Sequence, residues 1–435
     1  MYGYDYRREP RRVIFMIDNK SFYASVEAVE RHLNPLQALL VVMSEAENTN
    51  GGLVLAASPR AKQLFGISNV MRRRELPQDP RLLIVPPRMN LYIKYNLAIN
   101  RIFQHFAAPE DIHPYSIDES LIDMNDSWKL FGNSPREVAR KIQLQIRHEL
   151  GLYVTVGIGD NPLLAKWSMD LDGKHAHSLI GEWHYEDIPD KLWPIKDLAS
   201  LWSIGPRTEK KLHTLGIQQM YDLAHYNPYK LKQQLGVIGS QLFAFAWGID
   251  RAIIRETYYP HNKSYGNSQV LPRDYSQRGE IEIVLREIAE QVGARLRAHH
   301  VAARVVSLHI GFAWSARTAG QRGGFGHSMK IEATNDNYFL TTTVLKLFTD
   351  RWQGEAVRNI AISCSDLVDD RVVQLNIFDA NNKLLKQRQL DRTVDAIRQR
   401  YGFRSIVKLS SLMTGATAIQ RTGLVGGHNG GNAYD

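Results

Sequence analysis

Two acidic clusters, each carried on an apolar run, constrain this chain more than any other feature. The first is Ile14-Phe15-Met16-Ile17-Asp18, running into Asn19-Lys20-Ser21-Phe22-Tyr23-Ala24-Ser25-Val26-Glu27. The second is Tyr115-Ser116-Ile117-Asp118-Glu119-Ser120, followed by Leu121 and Ile122. Such runs read as short buried strands that deliver carboxylates to a strand end or turn. A single Asp would be an ordinary surface turn. An Asp-Glu pair inside an apolar segment is costly to bury unless something cationic meets it. Three carboxylates from two neighbouring strands form a hard oxygen cage of the kind that suits Mg²⁺, whose remaining positions go to substrate phosphates.

The chain has 435 residues, room for roughly two to four domains of about 100–200 residues each. It is 44% hydrophobic and 23% charged, which fits a globular protein and excludes a disordered or fibrous one. No apolar run reaches the ~18 residues that suggest a membrane span. The polar N-terminal stretch, with Arg7, Arg8, Arg11 and Arg12, lacks the apolar core of a signal peptide. The one cysteine, Cys364, excludes an internal disulfide or a zinc ribbon, and a reducing cytoplasm is the expected setting. The net charge of +9 favours an anionic partner such as nucleic acid. From Gln291 to Ile331 there is no Asp or Glu, while Arg295, Arg297, Arg304, Arg317, Arg322 and Lys330 all fall there. A phosphate backbone requires a one-signed surface of this type.

Periodicity divides the chain into segments. Up to about residue 180, strands and helices alternate, with a strand at Val13–Ile17, another at Ser116–Met124 and a third at Tyr153–Ile158. Residues 181–250 read as helical. There Ser203-Ile204-Gly205-Pro206-Arg207-Thr208, then Leu215-Gly216-Ile217, describes a helix-hairpin-helix whose backbone N–H groups face a phosphate at Gly205, Arg207 and Thr208. A weaker copy spans Leu235-Gly236-Val237-Ile238-Gly239. Residues 251–262 read as a polar linker. Residues 263–370 follow a β-α-β-β-α-β order, with the acid-free run on the two strands in the middle of that order. Residues 371–435 read as a tail with an amphipathic helix at Asp391–Tyr401. Its last glycine-rich stretch, Gly426-Gly427-His428-Asn429-Gly430-Gly431-Asn432-Ala433, is expected to be disordered.

In this order the segments resemble the Y-family of translesion DNA polymerases, in particular its bacterial UmuC-like branch, from about Arg12 to Phe378. Asp18 through Glu27 is similar to the family's first palm motif, and Ser116-Ile117-Asp118-Glu119-Ser120 to its acidic motif. Val156-Gly157-Ile158-Gly159 through Asn161, Leu164-Ala165-Lys166 and Asp170 resembles its third block. Lys263-Ser264-Tyr265-Gly266-Asn267-Ser268 is similar to the entry to its little-finger domain.

The resemblance implies an α+β right-hand polymerase. Its palm would be 1–35 with 89–180, its fingers 36–88, its helical thumb 181–250 and its DNA-binding little finger 263–370. Asp18 and Asp118 would bridge two Mg²⁺ ions, Glu119 would complete the ion nearer the primer 3′-hydroxyl, and the Asn19 carbonyl would serve the nucleotide-bound ion. Tyr23, after Phe22, occupies the steric-gate position. Lys62 and Lys174 are similar to triphosphate-binding lysines but are each shifted by one residue. The usual fingers tyrosine is missing, and Ser58 or Arg60 is expected in its stead. Lys20 replaces the family's second acid in the first motif. DNA contacts fall to Gly205, Arg207, Thr208, Arg304, Arg317, Arg322 and Lys330. Gln374-Leu375-Asn376-Ile377-Phe378 resembles a sliding-clamp peptide, anchored by Gln374, Leu375, Ile377 and Phe378. The implied partners are primer-template DNA, deoxynucleoside triphosphates, the clamp and accessory damage-response subunits, in a nucleoid-associated cytoplasmic protein of the SOS response. The competing readings are a catalytically inactive DNA- and clamp-binding regulator of the same fold, and a palm-type nucleotide cyclase.

Overall fold

The computed structural model describes residues 3–44, 52–256, 258–260, 262–316, 323–370 and 383–430. In chain order its first unit contains β1 (Ile14–Asn19), α1 (Phe22–Val29), β2 (Leu40–Met43), β3 (Val54–Ala57), α2 (Pro59–Phe65), β4 (Leu83–Val85) and α3 (Met89–Phe103). Then come β5 (Ile112–Pro114), β6 (Glu119–Asp123), α4 (Pro135–Leu150), β7 (Val154–Gly159), α5 (Pro162–Trp167) and β8 (Ile180–Trp183). β1 lies at the centre of a five-stranded sheet of order β5-β6-β1-β7-β8, antiparallel to both neighbours. Its apolar run is continuous because both faces are covered. Phe15 and Ile17 enter a core with Tyr92, Ile99 and Ile142, while Ile14 and Met16 pack against Ala165 and Met169. Gly157 of β7 permits that second contact, since a Cβ there would lie 2.0 Å from the Ala165 carbonyl oxygen. β8 extends the sheet to Trp183, three residues past the boundary expected from the sequence.

β3-β2-β4 forms a separate three-stranded sheet with its own core around Val41, Val54, Ala61 and Leu82. The helical segment consists of α6 (Pro206–Thr214), α7 (Met220–His225), α8 (Pro228–Leu235) and α9 (Val237–Ala246). Gly205 caps α6, but the element before it is a single 3₁₀ turn, Leu198–Ser200, instead of a full helix. Gly236 joins α8 to α9 at φ 67°, where the left-handed region favours glycine. The expected linker is irregular and pinned at two points: Arg251 pairs with Glu9 at 2.6 Å, and Arg255 pairs with Asp111.

β9 (Tyr265–Tyr275), α10 (Arg278–Ala298), β10 (Val301–Phe312), β11 (Gly324–Thr334), α11 (Asn337–Thr349) and β12 (Val357–Asp369) reproduce the expected β-α-β-β-α-β order. Their sheet runs β11-β10-β12-β9. Arg304 and Lys330 are exposed, as a basic surface requires. Arg297 is not part of that surface. It is buried in α10, where its Nε donates to Asp395 at 2.6 Å and its Nη1 to the Asn335 carbonyl at 2.7 Å. Its partner acids lie far along the chain, so the local count of charges could not reveal them.

The tail departs furthest from expectation. α12 (Lys383–Tyr401) carries Asp391 and Asp395 to Arg297, and α13 (Ala418–Arg421) docks on α10. Leu424–Val425 and His428–Asn429 then form a hairpin, β13 and β14. Its Gly426-Gly427 turn supplies the positive φ values the hairpin needs, 59° and 84°. The glycine-rich run expected to be disordered is therefore structured through Gly430, whose carbonyl accepts from Asn90 N–H at 2.8 Å.

Arg297→Met should destabilise the protein by roughly 3–5 kcal/mol, because it strands buried carboxylates. It should also expose α12 to limited proteolysis. Denaturant unfolding combined with mass mapping of the cleavage sites checks both.

Candidate active site

Strand register assembles the site. β1 pairs with β6 so that Asp18 faces Glu119, and with β7 so that Asp18 faces Thr155. Asp118 lies in the turn just before β6. Ser116 shapes this turn: its hydroxyl donates to Asp118 Oδ1 at 2.7 Å and accepts from Glu119 N–H at 3.0 Å. Asn19 ties the two segments together, donating its backbone N–H at 2.9 Å and its Nδ2 at 3.0 Å to the Asp118 carbonyl.

The carboxylates are crowded, and Asp18 is desolvated. Burial pushes the Asp18 carboxyl up to about 7; Lys174 opposes the shift, while Asp118 and Glu119 add to it. Asp18 and Glu119 face each other across the β1–β6 pair. Two lysines compensate. Lys166 Nζ donates to Glu119 at 2.6 Å and lies 3.2 Å from Asp170. Lys174 Nζ lies 3.8 Å from Asp18 and 2.8 Å from Asp170. Burial lowers the Lys62 ammonium and Asp18 draws it back, while Lys20 and Lys174 add repulsion. Carboxylates and lysines thus share a cavity of about 620 Å³, whose lining includes Asp18, Asp118, Tyr23, Lys62 and Lys174.

Among the described residues, no three His, Cys, Asp or Glu side chains already converge on one ion position. The Asp118 carboxylate is held on Ser116 instead. The donor chemistry nevertheless fits a hard divalent cation. Asp18 and Asp118 line the same cavity, and Asn19 Oδ1 and Thr155 Oγ1 are buried without a hydrogen-bond partner.

Tyr23 is half-buried at the cavity wall and stacks on Tyr92, with ring centroids 4.4 Å apart and planes 14° from parallel. Tyr92 is fixed in turn, because its hydroxyl donates to Glu27 Oε1 at 2.8 Å. Glu27 is fully buried and also receives Arg88 at 2.7 Å and Arg31. Phe22 is almost wholly buried and belongs mainly to the core.

The structure brings Asp18, Asn19, Asp118, Phe22, Tyr23, Lys62 and Lys174 to one cavity, while Glu119 faces Asp18 across the strand pair and accepts from Lys166. It does not bring Ser58 or Arg60. Ser58 is wholly buried as the N-cap of α2, donating to the Ala38 carbonyl at 2.6 Å and accepting from Leu40 N–H at 3.1 Å. Arg60 points outward and donates to Gln63 at 2.8 Å. Asn69, Thr155 and Tyr92 were missed from sequence. Thr155 is the one hydroxyl residue in a strand buried throughout, but nothing marks Asn69 locally. Gly205 and Arg207 are exposed at the start of α6, with Thr208 half-buried. Arg317, Arg322 and the peptide Gln374-Leu375-Asn376-Ile377-Phe378 lie outside the described residues.

Comparison with known proteins accords with this geometry. Residues 17–170 match the impB/mucB/samB family, residues 185–217 its helix-hairpin-helix motif and residues 262–377 its C-terminal domain. UvrX of Bacillus subtilis, named for UV-damage repair, is 40% identical over 98% of this chain and 99% of its own length. The chain belongs to the Y-family DNA polymerases. "DNA polymerase IV 2" of the same organism is 35% identical, covering 96% of this chain and 98% of its own length. In fold it resembles the "Y-family DNA polymerase chimera Dbh-Dpo4(243-245)-Dbh", with a TM-score of 0.65 and 22% identity over 82% of this chain and 99% of that one. This polymerase is therefore a DNA-directed DNA polymerase of repair and translesion synthesis, acting on a DNA template with deoxynucleoside triphosphates. Members of the family use divalent metals. No helix among the described residues is long and apolar enough to cross a membrane.

Ser58→Ala should cost about 1–2 kcal/mol of stability through the lost cap and leave the KM for nucleotide unchanged. Thermal unfolding and steady-state primer extension measure the two effects.

Proposed function

We propose that this polymerase extends primers past damaged template with low fidelity and low processivity, using two Mg²⁺ ions. The observation that supports this most is the register that sets Glu119 against Asp18, beside a cavity that Asp18 and Asp118 share with Lys62 and Lys174. Asp18, Asp118, Glu119 and the Asn19 carbonyl would hold the metals. Bound there, the metals supply a Lewis acid for the 3′-hydroxyl and for the pyrophosphate leaving group. Lys166 orients Glu119 through its ion pair. Lys174 and Lys62 meet triphosphate oxygens, so the loss of one cation costs nucleotide affinity before it costs chemistry. In this reading the five-stranded unit is the palm, the three-stranded unit the fingers, the helical unit the thumb and the four-stranded unit the little finger. Gly205, Arg207, Thr208, Arg304 and Lys330 lie on surfaces that carry DNA. Primer extension by the purified protein on intact and lesion-bearing templates, with Mg²⁺ titrated, tests this reading. Failure to extend either template contradicts it.

Tyr23 discriminates the sugar. Its ring rests on Tyr92 and cannot retreat, so a ribose 2′-hydroxyl meets a rigid wall. Tyr23→Ala should raise the ratio of ribo- to deoxynucleotide incorporation at least tenfold, about 1.4 kcal/mol of lost discrimination. An unchanged ratio in single-nucleotide insertion assays places the gate elsewhere.

The peptide from Gln374 to Phe378 binds the sliding clamp, a reading supported by its sequence alone. A tether of this kind raises effective concentration and leaves the chemistry untouched. The double variant Gln374→Ala, Phe378→Ala should keep distributive synthesis and lose the lengthening of products by loaded clamp. Equal stimulation of variant and wild type removes the assignment. The cytoplasmic, nucleoid-associated setting and the accessory damage-response subunits belong to the same reading. Nuclease-sensitive co-sedimentation with the nucleoid tests the setting, and co-purification after DNA damage tests the subunits.

A further inference from the structure

A second cavity of about 1200 Å³ lies where the C-terminal segment crosses the molecule. It exceeds the ~300–1,000 Å³ usual for small-molecule sites. The three-stranded unit contributes Leu53 and Arg72, the four-stranded unit Arg295, Trp314 and Arg358, and the C-terminal segment Phe403, Arg421 and Leu424. That segment is anchored at both ends. Glu287 of α10 accepts from Thr417 N–H at 3.0 Å and Ala418 N–H at 2.9 Å. At the far end Asn90 N–H holds Gly430, and Val425 packs on the palm core.

The walls are basic and aromatic. Four arginines line them against one carboxylate, Asp274, to which Arg358 donates at 3.3 Å. Trp314 is 83% exposed. Arg421 is the distinctive group. Among the described residues it donates to neutral amide oxygens, those of Gln269 at 3.2 Å and of Gln291, and forms no ion pair. Burial lowers its guanidinium; Glu287 opposes this and Arg295 adds to it. A desolvated cation with only neutral acceptors favours an incoming anion. Arginines interleaved with exposed rings are the pattern that holds single-stranded nucleic acid.

The cavity is also next to the chemistry. Leu53 borders it, while Leu55 and Ala56, on the same strand, line the active-site cavity. At ~3.3 Å per residue these positions are about 7–10 Å apart, so one strand can pass from one cavity to the other.

We propose that the C-terminal segment 403–430 roofs a channel for the unpaired template strand ahead of the active site, with Arg421 on a backbone phosphate. The proposal rests on the polymerase reading and assigns a role to a segment that reading leaves unused. The test uses the full chain without nucleotide and measures its affinity for one duplex that is blunt, has a short 5′ overhang or has a short 3′ overhang. Wild type should bind the 5′-overhang form more tightly than the other two. Arg421→Gln should reduce that gain about tenfold, the effect of one charged hydrogen bond, with blunt-end binding unchanged. Arg421→Lys should restore part of the gain. Trp314→Ala, a change at an exposed ring that leaves folding intact, should also reduce it. The channel is overturned if wild type gains nothing from a 5′ overhang, gains equally from a 3′ overhang, or if both Arg421→Gln and Trp314→Ala keep the full gain. Primer extension by the same wild-type preparation tests the polymerase reading separately, so an active enzyme with no overhang effect overturns the channel alone.

Discussion

The architecture depends on holding Asp18, Asp118 and Glu119 close together against their mutual repulsion. A strand covered on both faces places Asp18 where water cannot solvate it fully, and its carboxyl rises to about 7 as a result. The fold tolerates this because Lys174 and Lys166 lie within ion-pair reach and share Asp170. In the proposed reading, divalent cations and a triphosphate bring the charges that offset this crowding. Stability has been given up locally so that charge can be bound at one place.

Rigidity around this point is built outward in layers. Asn19 and Ser116 fix the backbone that presents Asp118. Glu27, wholly buried between Arg88, Arg31 and Tyr92, fixes the floor under Tyr23. The Tyr23 ring, proposed as the sugar gate, therefore rests on a ring that is itself held by an ion pair. The four-stranded unit is joined differently, through a linker pinned by Arg251 and Arg255 and through a C-terminal segment whose end returns to Asn90 of the five-stranded unit.

Much of this was legible in the sequence, because the determining signals are local. The apolar run of β1 followed by Asp18, the Ser-Ile-Asp-Glu-Ser turn and the β-α-β-β-α-β order each declare themselves within a few residues. What was not legible depends on distant partners. Ser58 precedes Pro59 and looks like any exposed turn residue, yet it is the buried cap that holds Ala38 and Leu40. Arg297 counted as surface charge until α12 brought Asp391 and Asp395 to it. The terminal glycines signalled disorder by composition, but Gly426 and Gly427 make a hairpin turn and Gly430 reaches Asn90. In each case burial by a remote segment reverses what the local composition suggests.

The central claim is that these three carboxylates, as register places them, carry the chemistry and not the fold. The measurement that tests it most directly is primer extension by the double variant Asp118→Ala, Glu119→Ala, paired with its affinity for the same primer-template. The account predicts that extension is abolished while binding stays within about threefold of wild type, less than ~0.7 kcal/mol. Wild-type extension by that variant would contradict the account.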